Sequence, residues 1–334
     1  MEGGRAGAGR MAFICLSHKG DLDGLASAAL ARLAFRAQVE LVGYGELEAQ
    51  LARLAGEQLI ITDLGLYGPR FKRYLDLLPR GRFIYLDHHT LPPAARRALI
   101  ARGGEVVHST RDCTSALFFH HYKDKLPREA ARLAAMAALS DYMEAGPIAR
   151  QLLEGLERFT LFLDVALYTL AILAWEKRRR HLLGLVEMLS QLKPATSSRE
   201  VTEEALALAA RLQALRTGLA TAVTHYESFS VVEANDENTG LLASLALEVT
   251  SRPIAVAVRR TRSEVKLSLR SKRLPLLHLG RLVSSVAEEV GGDGGGHAQA
   301  AGARIRSQEL TPFLQRLDRR LGGLLRPSRA GKGA

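Results

Sequence analysis

The chain of 334 residues is 47% hydrophobic, enough for two cores, since a domain usually holds about 100–200 residues. Its formal charge of +11, from 46 Lys and Arg against 35 Asp and Glu, points to polyanionic partners, with a solvated, ion-paired basic surface as the other reading. Cys15 and Cys113 alone exclude a disulfide framework and a thiolate zinc site, and they suit a reducing cytoplasm.

Residues 1–10 are rich in Gly, Ala and Arg without an apolar stretch, so they read as a disordered tail rather than a signal peptide. Short apolar, β-rich runs follow at 12–17, 39–44, 58–64, 82–87 and 105–108. Stretches of helical composition lie between them at 24–36, 47–54, 69–77 and 93–102, and the alternation predicts an α/β fold with a parallel sheet. Residues 114–192 turn helical. Their most apolar run, 161–175, is shorter than the roughly 20 residues a bilayer requires and contains Asp164, so a buried helix is expected and no membrane association. Turn residues at 193–198 break the pattern, and a further helix is expected over about 200–226.

A smaller mixed α/β unit then reads as strand 229–233, helix 240–250, strands 254–259 and 265–270, helix 278–290, strand 302–305 and a final helix. The expected division is a metal-binding domain at 11–192, a helical linker at 193–226, a substrate-binding domain at 227–325 and a second disordered tail at 326–334.

In an open parallel sheet, ligands bind outside the carboxyl ends of the strands. Three of the five expected strands run there into acids and histidines: His18, Asp21 and Asp23 after the first, Asp63 at the third, and Asp87, His88 and His89 at the fourth. Any one Asp at a strand-to-helix junction is also a favoured helix N-cap. Several unneutralised carboxylates converging on one edge would repel, and cations are the simplest remedy. Carboxylate and imidazole donors without thiolate suit Mn²⁺ or Mg²⁺, with Fe and Zn left open by ligand type, and two ions sharing a carboxylate suit phosphoryl transfer.

In the small unit, Gly294, Gly295, Gly296 and His297 lie in a Gly-Gly-Asp-Gly-Gly-Gly-His segment whose backbone amides could approach an anion, although a flexible loop fits the same residues. Ser268 and Arg270 share one face of the expected strand, where Arg270 suits either a phosphate or a surface ion pair.

With His18, Asp21, Asp23, Asp63, the Asp87-His88-His89 triplet and the Gly-Gly-Gly-His segment in this order, the chain resembles the DHH phosphoesterase superfamily, in the group with the DHH-associated C-terminal domain that includes RecJ-like and NrnA-like nucleases. The likeness spans about residues 12–325. It implies that His18 and Asp21 hold one metal, that Asp23, His88 and Asp141 hold the other, and that Asp63 bridges two Mn²⁺ ions, with Mg²⁺ as an alternative. Asp141 enters through the resemblance alone; its own sequence context reads as a surface residue at a helix end. His89 would face the substrate, with Asp87 orienting the imidazoles. Ser268, Arg270, Gly294, Gly295, Gly296 and His297 would grip a terminal nucleotide or phosphate across an interdomain cleft.

The implied activity is a metal-dependent exonuclease or oligonucleotidase on single-stranded DNA or short RNA. A phosphoesterase for small nucleotides and a non-catalytic RecJ-like scaffold at the replication fork are the alternatives, and intact acids and histidines weigh against the scaffold. Aromatic residues make up 6% of the chain, which favours short substrates over long stacked tracts. A homodimer and association with replication or repair proteins stay open.

Overall fold

The computed structural model describes residues 13–43, 45–68, 70–81, 83–235, 238–272, 274, 277–296 and 298–325. The residues called disordered tails lie outside this set, as does His297. The chain forms two compact units, Met1–Ala209 and Ala210–Ala334.

The first unit is α/β. Its strands are β1 (Ile14–His18), β2 (Gln38–Val42), β3 (Leu59–Thr62), β4 (Phe83–Asp87) and β5 (Glu105–His108), all parallel in the order β2-β1-β3-β4-β5. The helices between them are α1 (Leu22–Phe35), α2 (Leu47–Arg53), α3 (Phe71–Leu77) and α4 (Pro93–Ala101). The central strands are apolar on both faces because helices cover both. The laterally paired residues Cys15, Ile60 and Ile84 face a core built with α1. The next row, Leu16, Ile61 and Tyr85, faces the core of α2, α3 and α4.

Helices α5 (Thr114–Tyr122), α6 (Ala131–Ser140), α7 (Pro147–Leu153), α8 (Arg158–Ala174) and α9 (Arg179–Ser190) complete the α1 side. The apolar run 161–175 makes up most of α8, which buries Leu161, Tyr168 and Ile172 on one face and leaves Phe162 and Leu163 exposed on the other. Its buried Asp164 receives Arg132 at 2.8 Å and the Ala195 amide at 2.9 Å, which explains an acid inside an apolar helix. No helix among the described residues is long and apolar enough to cross a membrane.

Helix α10 (Arg199–Ala222) begins in the first unit and ends in the second. It stops short of the expected 226 because Thr224–His225 forms a short strand, β6, paired with β7 (Ser230–Glu233). The second unit continues with α11 (Thr239–Val249), β8 (Ile254–Arg260), β9 (Glu264–Ser271), α12 (Leu279–Glu289), β10 (Asp293–Gly296), β11 (Ala300–Arg306) and α13 (Leu310–Leu325). Its sheet order is β10-β11-β9-β8-β7-β6, antiparallel except for β7 and β8, which the α11 crossover leaves parallel.

The Gly-rich segment, expected as a loop, is the edge strand β10. Gly294 and Gly295 pair with Ala303 and Gly302. Glycine is required at Gly296, which has φ 138 and where a Cβ would come within 2.3 Å of the Ala300 carbonyl oxygen, and at the facing Gly280 of α12, where a Cβ would come within 2.1 Å of the Gly296 carbonyl oxygen.

Candidate metal centre

The sheet order reverses between β1 and β3, the position where an open parallel sheet leaves a crevice beyond its carboxyl ends. His18 closes β1, Asp63 follows β3 and Asp87 closes β4, so short strand-to-helix turns deliver all three to that edge. Asp21 is the N-cap of α1: Oδ1 accepts the Gly24 N–H at 2.9 Å, while Oδ2 lies 2.8 Å from His18 Nδ1. Capping and clustering therefore coexist in one side chain. A Cβ on Gly24 would come within 2.1 Å of the His18 carbonyl oxygen, so α1 can start this close to β1 only with glycine there.

Asp23, in the first turn of α1, is 1% exposed. Its two carboxylate oxygens accept the Thr114 and Ser115 amides, each at 2.8 Å, and so cap α5, whose own N-cap residue Cys113 makes no side-chain capping bond. Asp63 occupies the left-handed region at φ 56, a conformation that a short polar side chain tolerates better than most. Its N–H donates to the Leu86 carbonyl, which fixes the backbone, and its carboxylate is 2% exposed. Asp63 Oδ2 lies 3.7 Å from His18 Nδ1, and Oδ1 lies 3.3 Å from His88 Nε2 and 4.0 Å from His89 Nδ1. Asp141 follows the last residue of α6, with Oδ2 3.4 Å from His88 Nδ1; that oxygen is buried and accepts no hydrogen bond.

Among the described residues, three sets of three bring one donor atom each within 4.8 Å of one another: His18, Asp21 and Asp63; Asp23, His88 and Asp141; and Asp63, His88 and His89. Asp63 belongs to two sets and His88 to two, so the sets form one continuous cluster.

The electrostatics show a site short of positive charge. Burial raises the Asp23 carboxyl to about 6, helped by the charge of Asp63, and burial with the charge of Asp23 pushes Asp141 up to about 8. Burial alone would lower His88, yet its bond to Asp63 and the charges of Asp23, Asp63 and Asp141 raise it to about 10. His18 and His89 rise in the same way against burial, through Asp21 and Asp87 respectively. Asp63 is held low despite its burial by hydrogen bonds from His18 and His88. Protons thus gather where the carboxylates crowd. The unsatisfied Asp141 oxygen and the oxygen and imidazole donors fit hard or borderline divalent cations in the same positions.

Asp87 is fully buried and stands outside the three sets. Its Oδ1 lies 2.8 Å from His89 Nδ1, and its Oδ2 accepts the Tyr85 hydroxyl at 2.7 Å. That hydroxyl in turn accepts the Leu66 amide. The sequence reading missed Tyr85, Thr114, Ser115 and Met143, whose Sδ lies 3.1 Å from His88 Nδ1. Tyr85 stands two residues before Asp87 on a strand, and that spacing on one face was the available signal.

In the second unit, Ser268 Oγ and Thr239 Oγ1 are 2.8 Å apart. A Cβ on Gly240 would lie 2.9 Å from Arg270 Nη2, which puts the guanidinium against the N-terminus of α11.

Residues 227–323 match the DHHA1 domain family. In three dimensions the chain is similar to RecJ from Thermus thermophilus, solved with Mn²⁺, at 21% identity and a TM-score of 0.65, covering 95% of this chain and 53% of that one. The DHHA1 match places residues 227–323 in that domain family, and the chain as a whole shares the fold of this RecJ. It spans about half the length of that RecJ, which has also been solved with Mg²⁺. The DHH domain of a member of the s1p family of ribosomal proteins gives a TM-score of 0.70 at 14% identity, covering 94% of this chain and 87% of that one. The pGpG-specific phosphodiesterase PggH from Vibrio cholerae gives 0.58 at 13% identity, covering 94% and 99%. No curated protein matches in sequence.

Proposed function

We propose that the chain is a cytoplasmic two-metal phosphodiesterase that releases nucleotides from the ends of single-stranded DNA or short RNA. The observation that carries this reading is the continuous donor cluster at the sheet switch point, in which Asp63 links the set with His18 and Asp21 to His88, and His88 in turn links to Asp23 and Asp141. His18, Asp21 and Asp63 would hold one ion; Asp23, His88 and Asp141, with Asp63 again, would hold the second. Mn²⁺ is the favoured ion on donor type, and the RecJ neighbour solved with Mn²⁺ and with Mg²⁺ supports either.

When bound, the two cations supply Lewis-acid charge to the phosphoryl group and make water a nucleophile at neutral pH. The chain's own residues do the rest. Asp87 fixes the ring of His89 through Nδ1, so Nε2 is the atom that would hand a proton to the leaving oxygen. Tyr85 and the Leu66 amide hold Asp87 in turn. In the second unit, Arg270 beside the α11 N-terminus, Ser268, Gly294, Gly295, Gly296 and His297 would bind the terminal phosphate and sugar.

A second reading, a phosphoesterase for linear dinucleotides, is favoured by the near-complete span of PggH, 99% of that chain. One experiment separates them. Purified protein with Mn²⁺ is incubated with end-labelled DNA and RNA from dinucleotides to long single strands, beside an Asp63→Asn control. Mononucleotide ladders on long strands support the exonuclease, and cleavage confined to dinucleotides moves the substrate to the second reading. Cleavage of neither, with metal bound, removes the phosphodiesterase assignment.

A further inference from the structure

Tyr142 lies between two residues that both approach His88: Asp141, whose Oδ2 is 3.4 Å from His88 Nδ1, and Met143, whose Sδ is 3.1 Å from the same atom. The backbone is pinned on either side, with the Tyr142 amide bonded to the Leu139 carbonyl and the Met143 amide to the Ala138 carbonyl. This pinning leaves Tyr142 at φ 56, the left-handed position after a helix that Gly or Asn normally fills. For other residues the conformation costs roughly 1–2 kcal/mol. Leu192 shares the conformation but packs against the main core. Tyr142 recovers nothing comparable, because it is 91% exposed, the most exposed large hydrophobic side chain among the described residues.

A bulky ring in solvent, on a strained turn whose two neighbouring residues approach a candidate metal ligand, gains no stability from the fold, so its contribution lies in what it touches when something binds. An exposed aromatic side chain on the residue between two neighbours of His88 fits a nucleobase, which stacks on such rings whatever its sequence. We infer that Tyr142 is a stacking platform for the base attached to the scissile phosphate. The inference rests on the phosphodiesterase reading for the phosphate and adds the base.

The test uses the full chain with Mn²⁺ and compares Tyr142→Asn and Tyr142→Phe with wild type. Asn tolerates the left-handed turn, so the Asn variant melts no lower than wild type. The readout is the ratio of KM for methyl p-nitrophenyl phosphate to KM for thymidine 5′-(p-nitrophenyl phosphate). Wild type and Tyr142→Phe favour the thymidine ester, and Tyr142→Asn loses about 10-fold of that preference, the size of one base–aromatic stack. An unchanged ratio, or equal losses on both esters, overturns the inference. Calorimetric binding of thymidine 5′-monophosphate against inorganic phosphate is measured in parallel. If wild type hydrolyses neither ester, the phosphodiesterase reading falls, and the binding pair alone decides: a thymidine advantage lost in Tyr142→Asn sustains the stack, and no advantage overturns it.

Discussion

Raising the pH of the metal-free protein should destabilise it well before ordinary alkaline denaturation. His88 has an unfolded value near 6.5 and is raised to about 10 in the fold, with its side chain 10% exposed. A raised group stabilises fully below its unfolded value and loses that contribution as pH climbs through its folded value. Between pH 6.5 and about 8.5 the unfolded chain releases the imidazole proton while the native cluster keeps it, at about 1.4 kcal/mol per pH unit, or roughly 2 kcal/mol across the window. Asp141, pushed up to about 8, acts in the same direction, but it shares its interaction with His88 and is not counted again. The window closes at about pH 8.5 because exposed thiols titrate there on unfolding, which brings in the buried Cys15 and Cys113.

For a unit of this size, about 2 kcal/mol corresponds to a fall in Tm of about 4–8 °C. The assay is thermal unfolding followed by far-UV circular dichroism, in chelator and in saturating Mn²⁺. Cations displace the protons from the cluster, so with Mn²⁺ the slope should flatten or reverse and the Tm should rise. A chelated protein whose Tm stays flat or climbs from neutral to mildly alkaline pH would refute the claim that protons stand in for cations.

Asp63→Asn keeps the left-handed backbone but cannot serve two cations, so kcat should fall on the order of 10²–10³-fold with little change in the fold, checked by steady-state kinetics and circular dichroism. Asp87→Asn should lower kcat about 10–100-fold while metal stoichiometry by calorimetry stays at wild-type level, because it acts through His89. Asp23→Ala leaves the Thr114 and Ser115 amides uncapped in a buried place and should cost about 2 kcal/mol or more even in chelator, measured by urea denaturation. Gly24→Ala drives a methyl into the His18 carbonyl and should cost about 3 kcal/mol along with metal affinity.

Most of the α/β order was legible because apolar runs of strand length alternate with helical stretches, and a sheet covered on both faces needs such runs. The carboxyl-end acids were legible for the same reason: once the sheet is parallel, residues after β1, β3 and β4 must meet at one edge. What escaped depends on pairings between distant segments. β10 was hidden because a glycine run carries no alternating pattern; only its place beside β11 and α12 shows why Gly296 has no room for a side chain.

Asp141 was illegible for a related reason. It sits at a helix end, where periodicity predicts exposure, and reaches the cluster only because α6 ends beside His88. Asp23 looked like a helix-start acid and is one, yet the helix it caps is α5, 91 residues further along the chain. That double use ties the cluster to the fold. The carboxylate that would hold a cation also holds the end of a core helix in place, so loss of the metal should loosen the start of α5 before it loosens the sheet. Amide hydrogen exchange in chelator and in Mn²⁺ would show this as a metal-dependent change in protection confined to the Thr114–Ser115 turn and its neighbours. Uniform protection along the chain in both conditions would mean that Asp23 serves the helix alone.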